Sequence, residues 1–302
     1  MKGMKLQMPK LWALFAVSIM VIAAVPLVSV EAQQPQGESI TLSPVSKKVT
    51  TDPGTRVSGE LTIVNDGTVG YDFIVYARPY TIENDNYESP NFTKASKNTE
   101  VYQWVEFEQT KFRIEANKTV KVPYVIDIPE GASPGGHYGV IFAETQPKSE
   151  TSGNAVVRKK RVGMIVYSTV NGDIVNKGEA VRNDIPFWQL QPPLTATVTA
   201  KNTGNNDFLN QTKLVVKDIF GNVKFEVEKD YRVLPDTSRT SKLEWLSSPW
   251  FGFYQVETTQ KFLDQSRSQS GYVLMMPRFV PIALVVVVLI GVVYAVIQRR
   301  RT

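Results

Sequence analysis

Residues 119–128 read Thr-Val-Lys-Val-Pro-Tyr-Val-Ile-Asp-Ile, and their apolar and polar side chains largely alternate. Every second position from Val120 to Ile128 is apolar, whereas Lys121 and Asp127 lie on the opposite face. An alternation with a period of two turns one face of an extended chain toward a core and the other toward solvent. This stretch therefore predicts a half-buried β-strand.

The same kind of pattern recurs on both sides of this strand. Alternating or aromatic and β-branched segments are found at 56–63, 71–80, 137–144, 194–201 and 223–228. Turn sequences such as Asn65-Asp66-Gly67 separate them, and no long stretch between the two ends of the chain has the 3.6-residue period of a helix. Short strands with frequent turns predict an all-β fold of Ig-like antiparallel β-sandwiches.

An internal repeat indicates how many sandwiches the chain contains. Asn65-Asp66-Gly67 is matched by Asn202-Thr203-Gly204, and 136–140 (Gly-His-Tyr-Gly-Val) is matched by 252–256 (Gly-Phe-Tyr-Gln-Val). The interval from asparagine to glycine is 71 residues in the first copy and 50 in the second. The polar segment 83–100 accounts for the difference, so the repeat predicts two related sandwiches in tandem.

The domain boundary is expected in the polar stretch 146–153, which lacks apolar periodicity. This gives one sandwich at 33–147 and a second at 154–277. The basic run Arg158-Lys159-Lys160-Arg161 follows the boundary. It is either a patch for a polyanion or a solvated strand edge whose charges prevent edge-to-edge pairing.

The N-terminus has the three parts of a secretory signal peptide. Three lysines precede an apolar stretch at 11–28, and Val30-Glu31-Ala32 is a small-x-small cleavage site. Residues 1–32 are therefore expected to direct export. Pro26 and the small residues after it favour cleavage over an uncleaved anchor helix.

The C-terminus has the features of a membrane anchor. Residues 279–297 form an uncharged run, long enough to cross a hydrocarbon core of about 30 Å as a helix. The tail 298–302 carries Arg299, Arg300 and Arg301, which the positive-inside rule assigns to the cytoplasm. We expect a single-pass plasma-membrane protein whose body is extracytoplasmic.

Charge and cysteine content exclude several functional classes. The chain has a formal net charge of +5, but residues 33–277 carry 27 basic and 28 acidic side chains. A near-neutral body lacks the excess of basic side chains that binding to nucleic-acid phosphates requires. The chain has no cysteine, which excludes thiol nucleophiles and Cys-ligated zinc or iron–sulfur clusters, and in an exported protein favours a bacterial surface.

Together these motifs resemble a family of bacterial surface proteins. The motifs are Asn65-Asp66-Gly67, Trp104-Val105-Glu106-Phe107, Ile128-Pro129-Glu130-Gly131, the run Pro134 to Ile141, Arg161-Val162-Gly163, Asn202-Thr203-Gly204 and Leu234-Pro235-Asp236-Thr237. With the terminal helix and basic tail, the chain is similar to the WxL-interacting proteins. That resemblance implies a first domain that binds peptidoglycan and a second that binds a host or partner protein.

The candidate ligand-binding residues are aromatic. Tyr80, Tyr87 and Phe92 lie on or beside the segment 83–100, which is otherwise polar and is expected to be a surface loop. Loops on a rigid scaffold often carry function, so these rings are predicted to contact the ligand of domain one. A passive insertion is the alternative.

Other aromatic residues have structural interpretations. Trp104 and Trp245 have apolar neighbours and are expected in the cores, as sandwich tryptophans usually are. The run 250–254, Trp-Phe-Gly-Phe-Tyr, is too aromatic to bury entirely and is expected at an interdomain or partner contact.

Nothing in the sequence marks an enzyme, a metal site or a cofactor site. His137 is the single histidine, so a histidine-based metal cluster is excluded and a Ser-His-Asp triad would have to use this residue. At the start of a strand it is expected to face solvent or to cap the strand.

The expected function is therefore non-enzymatic binding at the cell surface, of cell-wall polymer, a partner surface protein, or both. The alternative is a structural or chaperone-like extracytoplasmic subunit that accepts a strand or partner from another exported protein.

Overall fold

The computed structural model describes residues 37–146 and 159–301. Within these ranges the chain is mostly β-strand, with a four-residue helix α1 (Val101–Trp104) and a long C-terminal helix α2 (Phe279–Arg301). The all-β Ig-like prediction is confirmed. The signal peptide predicted at 1–32 lies outside the described residues.

Two sheets form the first sandwich. Its strands are β1 (Thr41–Ser43), β2 (Ser46–Thr51), β3 (Arg56–Asn65), β4 (Tyr71–Pro79), β5 (Thr81–Ile82), β6 (Pro90–Asn91), β7 (Val105–Glu106), β8 (Lys111–Ile114), β9 (Lys118–Asp127), β10 (Gly135–Gln146) and β11 (Arg161–Val170). One sheet has the order β1-β3-β9-β7 and the other β2-β11-β10-β4-β8, while β5 and β6 form a separate hairpin. The strand predicted at 119–128 is β9, which pairs with β3 along its whole length.

The second sandwich has a matching plan. Its strands are β12 (Gly178–Asp184), β13 (Trp188–Gln189), β14 (Leu194–Asn202), β15 (Phe208–Lys217), β16 (Val223–Val233), β17 (Ser238–Trp245), β18 (Gly252–Phe262) and β19 (Gln265–Met275). A sheet of order β12-β14-β17 faces one of order β13-β19-β18-β15-β16. Each sandwich encloses its own apolar core, and Trp104 and Trp245 lie in these cores as predicted.

The predicted boundary between the sandwiches is wrong by one strand. The predicted ranges assign residues 161–170 to the second sandwich, but β11 pairs antiparallel with β10 and parallel with β2 of the first sandwich. The switch to domain two therefore falls after Val170. Alternating side chains identify β11 as a strand but carry no information about which sheet it joins.

A buried asparagine organises the equivalent corner of each sandwich. Asn65 accepts from the backbone N–H of Gly67 (3.0 Å) and donates to the carbonyl oxygens of Val69 (2.9 Å) and Glu115 (3.1 Å). Glycine is needed after it because a Cβ at residue 67 would lie 2.1 Å from the carbonyl oxygen of Gly37.

Asn202 repeats this arrangement in domain two. Its side chain accepts from Gly204 N–H (2.9 Å) and donates to the carbonyl oxygens of Asn206 (2.8 Å) and Val233 (3.0 Å). A Cβ at Gly204 would again lie 2.1 Å from a backbone oxygen, that of Val175. The two Asn-x-Gly motifs are therefore structural equivalents, which supports the internal repeat.

Helix α2 is long and apolar enough to cross a membrane. Its span from Phe279 to Arg300 has a mean hydropathy of 3.1 over its most apolar window, and none of it is buried in the protein. It contains the predicted anchor 279–297 and the first residues of the basic tail.

The Asn202→Ala variant is expected to destabilise domain two by about 2 kcal/mol, because it leaves one donor and two acceptors of the corner without their partner. Denaturant unfolding followed by the fluorescence of buried Trp245 measures this loss. Asn176→Ala, in an exposed loop of the same domain, is the control and should change stability by less than about 0.5 kcal/mol. Equal midpoints for the two variants would contradict the structural role of the corner.

Candidate functional site: the domain junction and its cleft

The junction between the sandwiches is built around the carboxylate of Asp207, which is almost fully buried. The Tyr138 hydroxyl of domain one donates to Asp207 Oδ1 at 3.0 Å, and the Arg232 guanidinium of domain two pairs with Oδ2. The same guanidinium lies over the ring of Tyr167, 4.8 Å from its centroid. One buried charge thus joins side chains from both domains.

Backbone contacts continue the junction beside this carboxylate. The Gly136 N–H donates to the carbonyl oxygen of Asn205 at 2.8 Å, and the Asn205 side chain donates to the Pro134 carbonyl at 3.3 Å. Gly135 has a φ of +118°, and a Cβ there would meet the same Asn205 oxygen at 2.4 Å. Glycine is therefore what permits the two loops to approach.

The segment 83–100 packs against domain two as part of this junction. The Leu234 N–H donates to the Tyr87 hydroxyl at 2.9 Å, and that hydroxyl also hydrogen-bonds the Thr237 hydroxyl. The Arg239 guanidinium lies 4.3 Å from the centroid of the Tyr87 ring. The Thr240 N–H donates to the Asp85 carbonyl at 2.7 Å. The expectation of a free surface loop is therefore wrong for this part of the segment.

The three predicted ligand-binding residues lie together at this junction. Tyr80 is buried, and Tyr87 and Phe92 are half-buried, all packed in one cluster with Tyr138 and Leu234. Phe92 stacks on Tyr80 at 6.2 Å and meets Phe142 edge-on at 5.0 Å. Their contacts join and support the domains, and a direct ligand contact stays a prediction.

Burial controls the ionisation of the junction tyrosines. Desolvation raises the pKa of Tyr80, Tyr87, Tyr138 and Tyr167, and the nearby Asp207 carboxylate raises that of Tyr138 further. These phenols are therefore neutral at physiological pH, and the Tyr138 hydroxyl remains a donor to Asp207.

A cleft of about 490 Å³ opens beside the junction. Its walls are 80–83, Lys94 and 96–99 of domain one and 234–237 of domain two, with Tyr138 at the side. The walls combine polar side chains, such as those of Thr81, Asn98 and Asp236, with aromatic and aliphatic ones, such as those of Tyr80, Tyr138 and Leu234. Such a surface offers hydrogen-bonding groups to a bound chain, whereas it holds no deep apolar pocket.

The described residues contain no arrangement typical of a metal centre. Within 37–146 and 159–301, no group of three or more His, Asp or Glu side chains is placed to hold a metal ion. His137 is buried against Trp104, so of its two expected positions the solvent-facing one is wrong. Its Nδ1 lies 3.0 Å from the Glu100 carboxylate and its Nε2 lies 2.8 Å from the Ser133 carbonyl, contacts that fasten α1 to β10.

Sequence reasoning missed Asp207 and Arg232. In the internal repeat, Tyr71-Asp72-Phe73 after the first Asn-x-Gly motif is matched by Asn206-Asp207-Phe208 after the second. Asp72, however, lies on the surface, where it pairs with the half-exposed Arg113. The sequence carries no signal for this role, because both copies have an aspartate at the matched position and only the structure shows that one of them is buried.

Comparison with known proteins identifies no family. No family model matches the sequence, and no curated protein matches it. Membership of the WxL-interacting family therefore stays a prediction.

Solved structures with a related arrangement include three chaperone structures. The class 5 fimbriae chaperone CfaA has a TM-score of 0.41 and 12% sequence identity, and the match covers 77% of this chain and 98% of that one. The CsuC–CsuE chaperone–tip subunit complex of Acinetobacter baumannii has a TM-score of 0.39 and 10% identity, with coverages of 77% and 97%. The E. coli chaperone DraB has a TM-score of 0.38 and 14% identity, with coverages of 78% and 99%. At these scores the likeness carries no functional argument.

The Arg232→Met variant is expected to loosen the junction and to cost about 3 kcal/mol, because it leaves the Asp207 carboxylate buried without its cation. Adding Asp207→Asn should recover part of the loss. Urea unfolding followed by tryptophan fluorescence measures both. Arg113→Met, which breaks a solvent-exposed pair, should leave the midpoint nearly unchanged. Equal effects of the two arginine variants would contradict a special role for Asp207.

Proposed function

We propose that this chain is a non-enzymatic, membrane-anchored extracytoplasmic protein that binds an extended segment of an exported partner protein in the junction cleft. The observation that carries the proposal is the cleft itself, because hydrogen-bonded segments of both sandwiches line it. The partner-accepting role is the second of the two functions expected from the sequence. Helix α2 supplies the anchor, with Arg299–Arg301 on the cytoplasmic side.

The character of the cleft favours a peptide over a glycan. Glycan sites commonly use an exposed aromatic face on which a sugar ring stacks. The aromatic residues at this cleft are Tyr80 and Tyr138, which are 8% and 2% exposed and are already in contact with other side chains. The cleft instead presents the polar side chains of Lys97, Asn98 and Asp236, which can hydrogen-bond the main-chain groups of a peptide.

The charges at the rim favour a polar partner segment. Lys94 and Lys97 are exposed on one wall, and Glu83 and Asp236 are exposed on the others. Charges of both signs around the cleft fix the direction of a bound chain better than they increase its affinity.

The long edge strand β16 is a weaker candidate for partner binding. It bears Lys224, Glu226, Glu228 and Asp230, and Lys213 of β15 pairs with both glutamates. Charged edge strands of this kind oppose the addition of another strand. The partner is therefore assigned to the cleft.

Site-specific photocrosslinking tests this proposal. With p-benzoylphenylalanine in place of Lys97, irradiation of intact cells is expected to yield a discrete adduct. Mass spectrometry of the crosslinked fragment should identify peptide from an exported protein. The matched control carries the same group in place of Lys111, which is also exposed in domain one but lies away from the cleft.

Two results would contradict the proposal. A crosslink from position 97 to muropeptide glycan would favour the cell-wall ligand. Equal adducts from positions 97 and 111 would show that the cleft has no preference for a partner.

A further inference from the structure

The loops at one end of the second sandwich share an unusual composition. In the sheet register, Gly252 pairs with Met275 and Gln255 pairs with Lys217. The loop before β18, the β15–β16 hairpin and the end of β19 therefore lie at the same end of the domain, and the chain leaves this end toward α2. We call this the anchor end.

Exposed aromatic side chains are concentrated at the anchor end. In the described parts of the chain before residue 279, every aromatic residue in the exposed class is found here. Phe187, Phe220, Trp250 and Phe251 lie in the loops, and Trp188 begins the short strand β13. Phe253 and Tyr272 stack on each other at 5.4 Å on the adjoining sheet surface, and Phe187 meets Phe253 edge-on at 6.3 Å.

The tip of the β15–β16 hairpin shows how strongly this end departs from ordinary loops. Ile219 and Phe220 are 67% and 82% exposed at a turn where polar residues are usual. The β18–β19 hairpin at the opposite end of the same sheet has Leu263 and Asp264 at its tip. An apolar cluster of this size marks a surface that contacts another phase or another molecule.

The link to α2 is too short to hold this end far from a membrane. The Met276 N–H donates to the Gln189 carbonyl at 3.0 Å, and the Trp188 indole N–H donates to the Met276 carbonyl at 2.8 Å. The sandwich thus fixes the chain as far as Met276, which leaves Pro277 and Arg278 before the helix. Two residues span about 7 Å at most.

We infer that the anchor end rests in the headgroup and upper acyl region of the same bilayer that α2 crosses, an inference that rests on the proposed membrane anchoring. Tryptophan and tyrosine favour this layer because they pair an apolar body with a polar N–H or O–H, whereas phenylalanine favours its acyl side because the ring leaves water there. Insertion of several rings on separate loops fixes the tilt of the body. With β18 eleven residues long, the junction cleft then stands about 35 Å above the bilayer.

Lipid quenching of single tryptophans tests this inference on the full-length chain. In a background of Trp12→Phe, Trp188→Phe and Trp250→Phe, the remaining Trp104 and Trp245 are buried. Phe220→Trp then adds a probe at the anchor end. Leu263→Trp adds the matched control at the other end of the same sheet. Each variant is reconstituted into vesicles of phosphatidylcholine with bromine on the upper acyl chain.

The inference predicts that brominated lipid lowers the added emission of Phe220→Trp about twofold or more, whereas Leu263→Trp responds only to aqueous acrylamide. Equal acrylamide quenching of both probes would overturn it, because the anchor end would then face water. Protection of Phe220→Trp from both quenchers would also overturn it, in favour of a second copy on this face. Vesicle flotation separates the two proposals. A chain that does not float refutes the anchor and the inference with it, whereas a floating chain with a water-exposed probe refutes the inference alone.

Discussion

The buried carboxylate of Asp207 is the constraint on which the arrangement of the two domains depends. An ionised carboxylate that loses its water is unfavourable unless cations and hydrogen-bond donors surround it. Arg232 supplies the cation from domain two and Tyr138 supplies a hydroxyl from domain one. The Tyr138 hydroxyl reaches this carboxylate only while the sandwiches are docked, and the docked pair is what holds the cleft open.

The two sandwiches share one structural plan. Asn65 and Asn202 form matching corners, and both Gly136 and Gly252 admit the hydroxyl of a tyrosine two residues later. The copies differ where domain one carries 83–100 and where domain two buries its aspartate. Both differences between the copies lie at the junction, where they form the interface and its cleft.

Much of this fold follows from the sequence, whereas the junction does not. Alternation predicts β3, β9 and β14 because local side-chain periodicity reports which face of a strand is buried. The same alternation cannot assign β11 to a sheet, because its partners lie on strands far along the chain. Likewise, the polar composition of 83–100 does not predict the hydrogen bonds of Tyr87, because their partners lie about 150 residues away along the chain.

Rigid docking of the two sandwiches is the central claim, and a distance distribution between them tests it most directly. The chain has no cysteine, so Lys118→Cys in domain one and Lys261→Cys in domain two can be spin-labelled specifically. Double electron–electron resonance on the full chain in lipid should give a single narrow distance. A broad distribution, typical of sandwiches that move independently on a linker, would contradict the account.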